Sequence, residues 1–451
     1  MSFFPDFRGS GFRDVDNPIK GLSSQGCGEQ NDGMKRLLTA SFAAAALVLG
    51  GVTLAAPGAA AGPSHTTGQI MVKFRDHGAA PAVLRGYGLS DGPEIGGTGA
   101  RLIKVPAGKE LQFVEALGRN PAIEYAEPDQ IVTPAAADQY IDRQYALNNT
   151  GQSFTNTAGT LTVDAGKADA DVDAVEAWGV TKGLDIRVAV LDSGVAGDNP
   201  DIAPKVVARG NFSGASTGED NYGHGTHVSG TVAASEGNTI GVAGVCPGCS
   251  ILDGKVLNDS GVGSSSGLAN GINWAVTNGA KVINMSLAVR ASRTLETAVN
   301  NAWAKGAVLV AAAGNGGNQT KIYPAGYANV IAVAATDNKD AKASFSTYGA
   351  SWVDIAAPGV NVYSTFPNHK FYLGTQNNRS MGYDVGNGTS MSAPIVAATA
   401  ALAWSVNPEL DNKAIREKVQ STADQIPGTG TYWANGRVNA NNAVQPLQPA
   451  G

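Results

Sequence analysis

Cysteine is nearly missing from this 451-residue chain, which has three, and only 16% of its residues are charged. So few cysteines exclude a fold scaffolded by disulfides, and the core must come from apolar burial. The formal charge of −6 is mild for this length and offers no basic field for nucleic acid. Aromatic residues are sparse at 7%, whereas there are 58 glycines. That balance suits a loop-rich globule and excludes a coiled coil or a disordered polyelectrolyte. Long apolar runs are scarce as well. The clear one, Leu37 to Leu54, follows Met34-Lys35-Arg36 and leads to Ala59-Ala60-Ala61. Positive start, apolar centre and small-residue exit describe a secretory signal peptide over residues 34–61 rather than a membrane anchor. No second run of spanning length is expected, so the processed chain should be soluble, extracellular and free of the membrane. Residues 1–33 are polar and glycine-rich, which does not suit the front of a signal peptide, so translation is expected to begin at Met34.

Cys27 falls in that doubtful leader. Cys246-Pro-Gly-Cys249 is a C-x-x-C pair in a chain addressed to an oxidising compartment. A redox motif would place its first cysteine at a helix N-terminus, but here the strand-like Ser250-Ile-Leu follows. Two cysteines without a second pair make a poor zinc site. A local Cys246–Cys249 disulfide is the expected outcome.

What the chain does contain falls into two patterns. Residues 62–135 read as a small αβ domain. Gln69 to Phe74 alternates with Ile70, Val72 and Phe74 on one face, Leu102 to Val105 is strand-like, and Lys109 to Arg119 places Leu111, Val114 and Leu117 at helical spacing. Thr133 to Asp138 then looks like an exposed linker. From residue 136 to 451, short apolar β-rich runs alternate with helical stretches. The runs are Arg187–Leu191, Ala280–Asn284, Ala307–Ala311 and Val330–Val333. Near-continuous apolar strands suit a doubly wound α/β fold with a mostly parallel sheet, whose sites form at the carboxyl ends of strands.

Three separated stretches carry chemistry in glycine-rich settings at element ends. They are Val188-Ala-Val-Leu-Asp192-Ser-Gly194, Gly223-His224-Gly-Thr-His227 and Gly388-Thr-Ser390-Met-Ser-Ala-Pro394. Together they supply a carboxylate, an imidazole and a hydroxyl. A serine is a poor nucleophile until a base takes its proton, and a buried carboxylate fixes the tautomer of that base. His224 and Ser390 each open an apolar helix, so the Ser390 backbone N–H would lie at the positive end of a helix dipole, where an oxyanion can be held. Asn315, in Ala311-Ala-Ala-Gly314-Asn315, offers a second donor; alternatively it is an ordinary turn residue beside glycine.

Other readings compete. Gly263-Ser-Ser265-Ser-Gly267 matches the G-x-S-x-G of esterases, yet a Gly/Ser loop precedes it and only His369 could follow as base. A metal reading of His224-Gly-Thr-His227 lacks the H-E-x-x-H spacing. Asp169-Ala-Asp171-Val-Asp173 is no EF-hand, because Ala174 and Val180 occupy its glycine and closing glutamate positions. A catalytically silent fold used for binding would be supported by a lost triad member, and none is lost.

These blocks resemble the subtilase family (peptidase S8), and the tail from Thr422 to Ala440 is similar to that of its thermitase-like members. The resemblance covers roughly residues 140–445, and residues 62–135 resemble the family's ferredoxin-like inhibitor (I9-type) propeptide. It implies a secreted serine endopeptidase acting on polypeptides, with Asp192 as orienter, His224 as base, Ser390 as nucleophile and Asn315 as oxyanion donor. It implies that substrate pairs in extended form with a strand Gly261-Val262-Gly263 and with Ser286-Leu287-Ala288, and that Gly314 lines the first specificity pocket. The propeptide would act as intramolecular inhibitor and be removed by self-processing in the 133–138 linker. A monomer with no catalytic cofactor is expected. Structural calcium is implied at Asp201, Asn238, Ile240 and Val242. Two departures stand out: Ala288 and Val289 replace the family's glycines, and Val228 replaces a cysteine of the thermitase-like members.

Overall fold

Alternation along the first predicted strand is matched by burial: Ile70, Val72 and Phe74 are all inaccessible in the computed structural model. The structure describes residues 65–130 and 137–446, which fall into two compact units. The expected leader, Cys27, the signal peptide and most of the linker lie outside the described residues.

In the smaller unit the chain runs β1 (His65–Phe74), α1 (Ala80–Gly86), β2 (Ala100–Lys104), α2 (Glu110–Gly118) and β3 (Ile123–Gln130). The antiparallel sheet has the order β2-β1-β3. A single bridge between Glu94 and Arg101 stands where a ferredoxin-like fold has its second strand. Helix α1 was not foreseen. Leu111, expected on the buried face of α2, is 59% exposed, whereas Leu117 is buried and Val114 packs against the core. Three residues at strict i+3 spacing drift about 60° per step around a helix of 100° per residue, so the small sheet covers only the last two.

The larger unit is built on a seven-stranded parallel sheet. In chain order its main elements are β4 (Arg187–Asp192), β5 (Val206–Asn211), α3 (His224–Ala233), β6 (Ser250–Lys255), α4 (Ser265–Thr277), β7 (Val282–Met285), α5 (Arg293–Ala304), β8 (Val308–Ala312), β9 (Ile331–Thr336), β10 (Ile355–Pro358), α6 (Thr389–Val406) and α7 (Asn412–Ser421). The strand order is β10-β9-β8-β7-β4-β6-β5. The chain therefore starts near the middle, winds to one edge, then crosses back over β4 to build the other half. Strands β4 and β7 meet where the winding reverses, the position at which open α/β sheets form their sites.

Each central strand is buried on both faces, which is why it reads as a continuous apolar run. Val188 and Val190 of β4 pack into one core with α3 and α6, while Ala189 and Leu191 pack into a second core with α4 and α5. Helix α6 corrects one expectation. It is 18 residues long with mean hydropathy 1.3, so a second run of spanning length does exist, but 89% of it is buried inside the domain. A helix that is apolar all round belongs in a core as readily as in a membrane.

Cys246 and Cys249 form a disulfide. It precedes β6 and is therefore at the opposite end of the sheet from the strand carboxyl termini. The bridge spans three residues in sequence, and so short a loop contributes only about 2 kcal/mol of unfolded-state restriction. The double variant Cys246→Ala/Cys249→Ala is expected to fold and retain activity, with a transition lowered by a few °C in scanning calorimetry. Loss of folding would contradict this placement.

Candidate active site

Strand β4 delivers Asp192 to its carboxyl end, and the buried His224 opens α3 directly above it. Nδ1 of His224 lies 2.8 Å from Asp192 Oδ1, which also accepts from the backbone N–H of Ser193 at 2.7 Å. Burial works to lower the basicity of His224, but the charge and hydrogen bond of Asp192 outweigh it and hold the imidazole above the ordinary histidine range. One helical turn on, His227 has Nε2 3.1 Å from the carbonyl of Val362. Burial, aided by the nearby His224, pushes its pKa down to about 3. The second histidine of the motif is thus neutral and structural.

Asp220 was missed in the sequence. It is fully buried and accepts from five donors: Ser193 Oγ, the N–H groups of Tyr222 and Gly223, and both the N–H and Oγ1 of Thr226. It thereby satisfies the opening turn of α3, whose first N–H groups have no intrahelical acceptor, and its charge complements the helix dipole. An acidic residue four positions before a motif histidine that begins a helix was the available signal. Ser193 Oγ in turn accepts from the N–H of Gly225, so the residue after Asp192 is tied to the helix that carries His224. Beneath this turn lies Lys255, also fully buried, whose Nζ donates to the carbonyls of Ser193 (2.6 Å) and Glu219 (3.0 Å) and to Asp259 (2.9 Å).

Ser390 is the second residue of α6, and α6 packs against α3. Its Oγ donates to the carbonyl of Ser286 at 3.2 Å, and Ser286 Oγ donates back to the carbonyl of Ser390 at 2.8 Å. Asn315 follows the end of β8. Its Oδ1 accepts from the N–H and Oγ1 of Thr389 at 2.9 and 3.0 Å, and Thr389 Oγ1 accepts from the N–H of Gly314. These bonds orient the amide. Its Nδ2 is buried and has no protein acceptor among the described residues, although buried amide donors are nearly always paired. It points along Gly388, where an added methyl would lie 3.2 Å away. Gly314 itself has φ +105°, and a side chain there would strike Ile322 at 2.6 Å; only glycine fits.

The residues expected to meet substrate are less uniform. Ser286 and Leu287 are buried, Ala288 is exposed, and Val289 exchanges both backbone bonds with Tyr323. Residues 261–263 are not a strand. Asn258 closes a turn over them, donating its N–H to the carbonyl of Val262 and accepting at Oδ1 from the N–H groups of Ser260 and Val262. Gly261 sits at φ +73°, which an extended strand cannot accommodate, and only Gly263 bridges back to Leu257. The G-x-S-x-G match is a helix cap, since Ser264 Oγ accepts from the N–H of Gly267 at the start of α4.

At the expected calcium position, Asp201 is buried and accepts from Asn238 Nδ2 at 2.7 Å and from the N–H of Val242 at 2.8 Å. Ile240 contributes its N–H to Asn238 Oδ1. Asp138, another residue missed in the sequence, is also buried and accepts from the N–H groups of Gly237 and Asn238. Burial pushes the Asp201 carboxyl up to about 6, and the neighbouring Asp138 adds to the rise. Among the described residues neither carboxylate is paired with lysine or arginine. Two acids buried together without a counter-charge suit a hard divalent cation. A separate group, Asp198, Glu219 and His369, brings three ligand-type atoms within 4.8 Å of one another.

Comparison with known proteins adds the kinship. Residues 183–445 match the subtilase family model, and residues 53–129 match the fervidolysin N-terminal prodomain. Thermitase of Thermoactinomyces vulgaris is 48% identical over 276 residues, which cover 61% of this chain and 94% of that protein. A thermophilic serine proteinase of Bacillus sp. (strain AK1) is 37% identical over 390 residues, covering 84% of this chain and 88% of the relative. Among solved structures, a protease from Pseudoalteromonas arctica superposes with TM-score 0.59 at 28% identity, over 69% of this chain and 99% of the other. With its parallel sheet, its N-terminal prodomain and these matches, the chain belongs to the subtilase family and is a serine endopeptidase.

Proposed function

We propose that this endopeptidase is secreted as a zymogen and works through Asp192, His224, Ser390 and Asn315. The observation that carries this reading is the buried, oriented and unpaired Nδ2 of Asn315 beside the opening of α6. Leaving such a donor unpaired costs about 1–3 kcal/mol, and a transition-state oxyanion beside the opening of α6 would satisfy it.

In the proposed reaction Ser390 Oγ attacks the scissile carbonyl carbon and His224 Nε2 takes the hydroxyl proton. Asp192 keeps the other ring nitrogen protonated and balances the imidazolium that forms. The carbonyl oxygen, now an oxyanion, accepts from Asn315 Nδ2 and from the Ser390 N–H at the positive end of α6. The C–N bond breaks as His224 returns the proton to the leaving amine. Water, deprotonated by the same imidazole, then releases the acyl group and restores Ser390. Polypeptides are the substrates, with Ala288, Gly314 and the 261–263 turn as candidate contacts. The prodomain match supports intramolecular inhibition followed by cleavage in the 133–138 linker, and the apolar run behind Met34 supports secretion. Calcium, held by Asp201 with Asp138 and the Asn238–Val242 loop, would neutralise buried charge and take no part in the chemistry.

Ser390→Ala is expected to give a folded, unprocessed precursor that does not hydrolyse casein, and Asn315→Ala to lower kcat about 10²–10³-fold with little change in KM. Normal casein digestion by the Ser390 variant would overturn the mechanism. The raised basicity of His224 predicts an acid limb of kcat/KM centred above the ordinary histidine value of about 6.5, activity growing as pH rises and the imidazole becomes neutral. Asp192→Asn removes the cause of that rise, so the limb should move to lower pH while kcat drops about 10⁴-fold. Chelation of calcium should shorten the half-life at elevated temperature, and added calcium should restore it; an unchanged half-life would count against the ion site.

A further inference from the structure

The segment Phe366–Gly382 connects two paired strands, Val362–Thr365 and Tyr383–Gly386, and lies against the loop that leads into His224. The N–H of Tyr372 donates to the carbonyl of Asn221 at 2.9 Å and that of Leu373 to the carbonyl of Tyr222 at 3.1 Å. His369 Nε2 lies 3.3 Å from the carbonyl of Asp220, while its Nδ1 pairs with Asp198 at 2.8 Å. Three successive carbonyls before the histidine are therefore met by one segment. The ring of Phe371 fills the space a side chain on Gly223 would need, since an added methyl would lie 2.2 Å from Phe371 Cδ2. The segment is anchored in register.

What it presents there is aromatic. Tyr372 stacks on Tyr222, with centroids 5.6 Å apart and planes 17° from parallel. Tyr222 reaches in two directions: its centroid is 6.5 Å from that of His224, and its phenol end rests on Gly261, where a methyl group would lie only 2.4 Å from Tyr222 Cζ. Tyr372 keeps 49% of its surface exposed, and Val262, beside Gly261, keeps 61%. Exposed apolar side chains next to a reacting group point to contact with something apolar.

We infer that the stacked Tyr222–Tyr372 pair, with Val262, forms the wall of a specificity subsite. The subsite takes a large aromatic or aliphatic side chain of the substrate residue lying between His224 and the 261–263 turn. The inference rests on the protease reading above and extends it to substrate class. Tyr222 is pinned between His224 and Gly261, and Tyr372 backs it on the other side, so the wall is held in place before substrate arrives. Rigid aromatic surface contributes apolar area at little conformational cost. Apolar pockets of this kind discriminate between large and small side chains by roughly 10–200-fold.

The test uses the mature wild-type enzyme and matched peptides carrying Phe or Ala at each acyl-side position in turn. At one position wild type should prefer Phe at least about tenfold in kcat/KM. Tyr372→Ala should cut that ratio about fivefold, through KM of the Phe peptide, and Tyr372→Phe should preserve it. A wild type that cleaves the peptides without such a preference overturns the inference, as does a preference that survives Tyr372→Ala; in both cases the protease reading stands. Peptides left uncleaved by wild type, with casein also untouched, would overturn both.

Discussion

Two buried carboxylates, Asp192 and Asp220, hold the start of one helix, and the site depends on how each is satisfied. An ionised carboxylate removed from water costs several kcal/mol unless hydrogen bonds or opposite charge replace its hydration. Asp220 meets that cost with five donors, two on Thr226 in the first turn of α3 and two on Tyr222 and Gly223 just before it. Asp192 meets it at Oδ1 alone, with the N–H of Ser193 and the imidazole of His224, while its buried Oδ2 has no hydrogen-bond partner among the described residues. Ser193 Oγ joins the two by donating to Asp220 and accepting from Gly225. His224 has little freedom to leave, because moving it would strand buried charge.

The same logic recurs at the nucleophile. Thr389 fixes Asn315 through two bonds, and Ser286 and Ser390 exchange hydroxyl-to-carbonyl bonds. Among the described residues Asn315 Nδ2 is a buried donor without an acceptor, and Asp192 Oδ2 and Asn284 Oδ1 are buried acceptors without a donor. An oriented donor left without an acceptor is what an electrostatically preorganised site requires, since it needs no reorientation when charge develops. The doubly wound sheet makes this possible by ending β4, β7 and β8 side by side, so that elements distant in sequence contribute to one locus.

Legibility in the sequence followed the range of the interaction. Strands β4, β7, β8 and β9 showed as apolar runs because both faces are buried, and the helices behind His224 and Ser390 showed through their own composition. The strand at 261–263 came from the family resemblance, and the turn found there is closed by the backbone and side chain of Asn258, which the resemblance does not reveal. Leu111 was placed on the covered face of α2 because spacing alone does not reveal how wide the covering sheet is. Asp220 and Asp138 escaped notice because an acidic residue in a loop acquires meaning only once its neighbours are known.

By itself, then, the sequence determined the class of chemistry and the kind of fold. An acid, a base and a hydroxyl in glycine-rich settings, with alternating strand and helix patterns, are local features that each segment carries alone. Only the tertiary structure decided which carboxylates share a helix end, which amide is left unpaired, and which aromatic ring leans on His224. The pairings Asp192–His224, Asn315–Thr389 and Tyr222–Tyr372 join residues 32, 74 and 150 positions apart, set by the packing of distant elements on one sheet. No pattern within a single segment encodes those long-range pairings.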